Sequence, residues 1–122
     1  MKKIILLIYC CTLVCCTNDN TGLPIITACN VTNPIENLSW LQAQVNQITE
    51  NESDVAPFFY IEIAEYKGET IFISNNCCAI CGTIVPIYNC SGELLGLLND
   101  EIKIKEVINA QTIFSRPDSP CK

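Results

Sequence analysis

Six cysteines beyond an apolar N-terminal run limit the folds open to this chain more than any other feature. Of ten cysteines, Cys10, Cys11, Cys15 and Cys16 lie in or at the end of that run, leaving Cys29, Cys77, Cys78, Cys81, Cys90 and Cys121. An even number in a small exported domain reads as a disulfide framework, with fifteen connectivities open to three bonds. Adjacent side chains point to opposite sides of an extended chain, so Cys77 and Cys78 are expected to take different partners. Two of the three bonds are expected to tie the loop from Cys77 to Cys81 to distant partners among Cys29, Cys90 and Cys121. A bond closing a long loop stabilises by about 3–4 kcal/mol in the chain-entropy model.

The run itself reads as an export signal. Lys2 and Lys3 precede the apolar stretch from Ile4 to Val14, and Thr17, Asn18, Asp19, Asn20 and Thr21 follow at once. Such a stretch is too short to span a bilayer and suits a cleaved secretory signal. Leu13-Val14-Cys15-Cys16 resembles a bacterial lipobox, which implies a diacylglyceryl thioether on Cys16, removal of residues 1–15 and acylation of the new amine. Asp19 lies beyond the positions that argue for inner-membrane retention, so the outer membrane is the expected location. A chain starting at Cys16 has 107 residues, with five basic against thirteen acidic side chains and a net charge near −8. That balance gives no footprint for phosphate backbones, so nucleic acid is not an expected partner, and membrane contact is assigned to the lipid. There is no histidine to act as general base or metal ligand.

Residues 16–32 read as lipid anchor and tether, and 33–122 as one small α+β domain. Asn33-Pro34-Ile35-Glu36 has the residues of a helix start: a cap, a proline at the first position and an acid three residues on. Ile35, Leu38, Leu41, Val45 and Ile48 then lay one apolar stripe, with Ser39 offering a second cap and a break near Leu38. Trp40 is expected to fold over the edge of the core. Pro57 to Ser74 alternates, with Phe59, Ile61 and Ile63 on one side and Tyr60 and Glu62 on the other; Lys67-Gly68 turns the chain, and Thr70 to Ile73 returns as a β-hairpin. The stripe, with Trp40, is expected to pack on a hairpin side formed by Phe59, Ile61, Ile71 and Ile73. Thr83 to Tyr88 reads as a third strand placed at an edge or bulge by Pro86. Glu93 to Leu98 reads as a fourth strand. A short helix is expected over Glu101 to Asn109 with Ile104, Val107 and Ile108 inward, a strand through Ile102 and Ile104 being the alternative. Thr112-Ile113-Phe114 forms the last strand, and Cys121 pins the tail. The expected fold is one N-terminal helix on a curled antiparallel sheet of four or five strands, stapled by disulfides.

Few constellations here carry chemistry. Cys78-Ala79-Ile80-Cys81 has thiol-redox spacing, yet Gly82, Thr83, Ile84, Val85 and Pro86 follow where a redox site needs a helix N-terminus. Zinc or an iron–sulfur cluster on Cys77 or Cys78, Cys81 and Cys90 is the metal alternative, since thiolates suit tetrahedral geometry, but the Cys-x-x-Cys knuckle of a structural zinc site occurs only once. Glu62, Glu65, Glu69 and Glu93 read as solvated faces rather than paired glycosidase acids. Ser39, Ser91 and Ser115 have no histidine partner. The sequons at Asn30, Asn37, Asn51 and Asn89 read as part of an Asn-rich composition. No cofactor, metal or catalytic residue is expected.

Asn33 to Leu41, Tyr66-Lys67-Gly68, the pair Cys77-Cys78 and Ile87 to Gly92 together resemble a recurring kind of small Bacteroidetes lipoprotein. Those proteins pair an Asn-Pro-Leu-x-x-Leu-Pro-Trp-Leu helix start with a Tyr-Lys-Gly hairpin, a Cys-rich loop and Tyr-Asp-Cys-x-Gly before a strand. The departures are Ile35, Ser39 and Asn89, and none disturbs the helix or turn logic. The resemblance implies a compartment and an architecture but carries no activity. The expected function is a lipid-anchored envelope protein, a non-catalytic binding or structural module, its membrane contact the N-terminal lipid and its partner a protein of the envelope. The alternatives are a thiol-redox or metal-binding protein using the Cys77 to Cys90 cluster, or an inhibitor of a protease or glycan hydrolase.

Overall fold

The computed structural model describes residues 25–121. The signal segment, the lipidation position Cys16 and the first part of the tether lie outside the described residues. The rest of the expected tether is folded. Strands β1 (Thr27–Ala28) and β2 (Val31–Thr32) pair antiparallel across Cys29 and Asn30, whose positive φ angles make the turn. Cys29 is bonded to Cys90, which ties this small ribbon to the domain.

The helical segment breaks at Leu38 into α1 (Pro34–Asn37) and α2 (Ser39–Glu50). The expected capping box is not formed. Asn33 takes a left-handed conformation without a side-chain cap bond, and Asn37 instead donates its side-chain amide to the Thr32 carbonyl at 2.6 Å. The free carbonyls at the far end of α2 are met from a distance. Arg116 donates to the carbonyls of Ile48 at 3.3 Å, Thr49 at 3.5 Å and Asn51 at 2.7 Å, groups a helix end cannot satisfy internally.

Strands β3 (Phe59–Tyr66) and β4 (Glu69–Asn76) form the central hairpin. Lys67 at φ 52° and Gly68 at φ 81° give the paired positive angles that a two-residue hairpin turn demands. That turn fixes Ile63 opposite Phe72 and Ala64 opposite Ile71. Ile61, Ile63 and Phe72 therefore share one face, and Ile71 and Ile73 take the other. The expected packing of the helix on Ile71 and Ile73 is corrected accordingly. Leu41, Ile61 and Phe72 are buried together, flanked by Ile35, Leu38, Trp40, Val45, Ile48, Ile113 and Phe114. The opposite face has a second core of Ala64, Ile71, Ile73, Ile87 and Ile102. Burying both faces of a small sheet lets a chain of this length build a core with one substantial helix.

Strands β5 (Pro86–Tyr88), β6 (Leu94–Leu97) and β7 (Val107–Ser115) complete an open antiparallel sheet in the order β6-β5-β4-β3-β7. Pro86 stands at the start of an interior strand and not at the sheet's edge. Its missing N–H falls where the β4–β5 ladder stops, after Ile73 opposite Ile87. The helix expected over Glu101 to Asn109 shrinks to a single 3-10 turn, Ile104–Glu106. Val107 and Ile108 open β7, while Ile104 and Ile108 are exposed at 56% and 52% and not inward. Ile102 fills the second core from the loop before that turn.

The remaining bonds are Cys77–Cys121, with Cα atoms 5.8 Å apart, and Cys78–Cys81, at 5.4 Å. Cys77 and Cys78 do take different partners. Only one bond ties their loop to a distant cysteine, however, because Cys78 closes on Cys81 and Cys29 goes to Cys90. The side chains of a four-residue turn converge, and Cys81 N–H reaches back to the Cys78 carbonyl at 3.4 Å.

Candidate functional site

The two long-range disulfides mark opposite ends of the hairpin. At the turn end, Thr27 and Ala28 share a surface hollow with Gly68 and Thr70, and Cys90 lies on the Thr70 carbonyl at 4.0 Å. At the other end, Cys121 Sγ lies 3.1 Å from the Phe58 carbonyl, beside the bond to Cys77. Eight residues of strand separate the ends by about 24 Å. The N-terminal segment thus joins the body at one pole, and the cysteine loop projects from the other.

Two of the eight exposed large apolar side chains among the described residues, Ile80 and Ile84, lie in the segment that leaves that far pole. The Cys78–Cys81 bond closes a loop of two residues too short to fold back on the body, and Ile80 at its tip is 96% exposed. Ile84, further along the same segment, is 71% exposed. Thr83 and Val85, expected in a strand, lie outside it. Where they leave β4, a trough of two adjoining hollows opens, about 190 and 440 Å³, sharing Phe59 and Ser74. Gln47, Ile48 and Asn51 of the α2 end line one side, and Cys81, Ile84 and Pro86 the other. Neither Ile80, Ile84 nor the trough is singled out by periodicity. The signal available in the sequence was the pairing of an isoleucine with a Cys-x-x-Cys closure, which leaves that side chain nowhere to bury.

Across the sheet, Tyr60, Glu62, Thr112 and Ser115 line a pocket of about 140 Å³ against the Cys77–Cys121 bond. Burial, and then the charge of Glu62, push the Tyr60 phenol above its ordinary pKa. Glu62 accepts from the Asn75 side-chain amide at 2.9 Å. The other flagged carboxylates do not join it. Glu65 has opposite parity on β3 and bonds Asn109, while Glu93 bonds Asn89 in the turn before β6. Ser115 reaches this pocket, whereas Ser39 begins α2 and Ser91 sits in the turn after Cys90.

All six cysteines between 25 and 121 are spent in disulfides, so none offers a thiolate while oxidised. Cys78 and Cys81 are half-buried on a loop with no helix N-terminus behind Cys78 to favour a thiolate. One buried donor among the described residues is unmatched: Asn76 Nδ2, whose oxygen partner accepts from Cys78 N–H at 2.7 Å. No helix among those residues is long and apolar enough to cross a membrane.

Fold and surface together define a small disulfide-stapled α+β domain with a protruding apolar pole. Compared with protein-family models, with curated proteins and with solved structures, the chain has no match in any of the three.

Proposed function

We propose that this is a lipid-anchored envelope protein of the small Bacteroidetes type, held in the outer membrane through Cys16, whose domain is a non-catalytic binding module. The observation that carries the reading is polarity: the chain enters the body beside Gly68, and Ile80 stands about 24 Å away at the opposite pole. An anchor at the first pole directs the apolar loop away from the bilayer, toward a partner. A fully exposed isoleucine on a disulfide-closed loop suits that role, because it is already ordered before binding and loses little entropy on contact. The acidic body favours attachment by lipid over attachment by charge.

Metabolic labelling with a palmitate analogue tests the anchor. The wild-type chain should take the label and fractionate with the outer membrane, and Cys16→Ala should abolish labelling and release the protein. Persistent labelling of Cys16→Ala would overturn the assignment or move it to Cys15.

A further inference from the structure

We propose that the Cys78–Cys81 bond is a redox latch: closed, it holds Ile80 out in water, and opened by a protein dithiol it lets Ile80 fold back onto Phe59 in the trough. The latch regulates the loop that the binding-module reading uses and rests on that reading. Strand β4 ends at Asn76 and β5 begins at Pro86, so residues 77–85 have no strand partner. Their ends are fixed. Cys77 N–H is held by the Phe58 carbonyl at 3.1 Å, Cys78 N–H by Asn76 Oδ1 at 2.7 Å, and the Val85 carbonyl by Leu98 N–H at 2.9 Å. Between those ends, the one further backbone bond among the described residues is Cys81 N–H to the Cys78 carbonyl, at a weak 3.4 Å. The disulfide is therefore what shapes residues 79–84.

That closure keeps an apolar side chain from an apolar hollow. The Cα atoms of Cys78 and Cys81 are 5.4 Å apart, and three extended steps would let them separate to about 10 Å. Gly82, at φ +57° with nothing within 4 Å of an added Cβ, has room to bend. Ile80, 96% exposed, is next in sequence to Cys81, which lines the hollow of about 440 Å³ with Gly82, Ile84 and Phe59. A cavity of roughly 150 Å³ is enough for benzene, so this hollow has room for a butyl side chain. Moving Ile80 from water onto Phe59 is favourable, and the two-residue ring forbids it.

The other two bonds are held by the body. Cys121 Sγ lies 3.1 Å from the Phe58 carbonyl, Cys29 packs against the helix-side core, and the Cys90 carbonyl takes the Trp40 indole N–H. Once opened, such held pairs stay opposed and close again, whereas Cys78 and Cys81 drift apart, so a dithiol at equilibrium opens the short ring first. Cys78 and Cys81 are the substrate of that exchange and not the attacking pair. One thiolate of the dithiol attacks Cys81, the member that lines the open hollow, and Cys78 leaves as a thiolate and takes a proton. The second thiolate then displaces Cys81, which is protonated in turn, and the two electrons leave the dithiol oxidised to its own disulfide.

The test uses the full-length lipidated chain in phospholipid nanodiscs. Graded dithiothreitol, quenched with N-ethylmaleimide and read by mass spectrometry, should expose Cys78 and Cys81 at about tenfold lower concentration than the other four cysteines. Hydroxyl-radical footprinting then reads the loop. Modification of Ile80 should fall several-fold in Cys78→Ala/Cys81→Ala, Phe59 should be protected with it, and exposed Ile104 should not change. Adding Ile80→Ser to that variant should return Phe59 to its rate in the closed protein. Labelling of Cys77 or Cys121 first, opening of all three bonds together, or loss of the folded Trp40 emission in the variant would each overturn the proposal. So would undiminished modification of Ile80, or protection of Phe59 that survives Ile80→Ser. Because the palmitate experiment reads only the anchor, a labelled Cys16 with Ile80 still exposed in the opened form overturns the latch alone.

Discussion

The Cβ that Gly92 lacks would lie 2.6 Å from Cγ of Trp40. The indole is packed edge-on to Phe72 at 5.3 Å and tilted over Tyr88 at 5.8 Å, and its Nε1 donates to the Cys90 carbonyl at 3.0 Å. It therefore closes the helix-side core against the turn before β6, and that turn must come as near as backbone can. Gly92 at φ +81° supplies both the space and the left-handed angle.

Gly92→Ala is accordingly expected to cost about 2–4 kcal/mol, combining overpacking with a strained backbone angle. Urea unfolding followed by Trp40 fluorescence measures it, since this is the chain's one tryptophan. Gly82→Ala, also at positive φ but with open space around its Cβ, should cost less. Equal losses would show that backbone strain alone matters and that Trp40 can yield.

Leu41 is fully buried between Ile61 and Phe72, so Leu41→Ala should cost about 2–5 kcal/mol, a large part of a small domain's stability. Ile104→Ala, at an exposed side chain, should stay within about 0.5 kcal/mol. Thermal melts of the two variants decide whether α2 is the lid of this core.

How much of that core was legible turns on the hairpin. Tyr66-Lys67-Gly68-Glu69 contains the turn and its length, and a two-residue loop already dictates Ile63 opposite Phe72. The face error at Ile71 and Ile73 came from following each strand's apolar residues without carrying the register around the turn. The place of Trp40 followed from residue type. The break at Leu38 was expected, but not for the right reason: Ser39 does not cap α2, since Leu38 holds that position without a side-chain bond and Ser39 is the first helical residue. The end of β7 was expected at Thr112-Ile113-Phe114, but its first half was not, because Val107 and Ile108 suit either period and the pairing with β3 decides. Nor was Arg116 at the end of α2, a contact spanning 65 residues to the Asn51 carbonyl. The trough is a product of where Pro86 ends a ladder, which only the strand order reveals.

Arg116 carries its own prediction. Its bond to Asp118 holds that carboxyl below the ordinary value of 3.8. A folded pKa under the unfolded one means a contribution present above the ordinary carboxylate value and lost as pH falls through the folded value. Arg116→Ala should speed hydrogen exchange at the α2 end several-fold at neutral pH. Asp118→Asn should do so less, since the guanidinium still reaches the Asn51 carbonyl. An unchanged exchange rate in Arg116→Ala would mean that water caps the helix equally well.

Tyr60 offers a second titration of opposite sign. Its raised pKa means that folding favours the neutral phenol, so this contribution is complete below the ordinary tyrosine value of 10.0 and is lost as pH rises through the folded value. Absorbance at 295 nm should resolve a phenol ionising above that ordinary value, and Tyr60→Phe should remove it. Glu62→Gln should lower it in part, because burial ranks ahead of the Glu62 charge among the causes.

The disulfide pattern yields unequal costs for removing each bond. Cys29–Cys90 spans 61 residues and Cys77–Cys121 spans 44, so each is worth about 4 kcal/mol in the chain-entropy model. Cys78–Cys81 spans three and is worth about 2 kcal/mol or less on the same scale. Paired alanine variants should therefore lose most of their stability in the first two cases, since each opens one end of the hairpin. In the third case the domain should keep its near-native melt while Ile80 loses its fixed position. Mass spectrometry under non-reducing conditions should find no free thiol among the six and a closed Cys78–Cys81 ring. A bond from Cys78 to Cys90 or Cys121 would overturn this pattern, and severe unfolding of Cys78→Ala/Cys81→Ala would show that the loop belongs to the core.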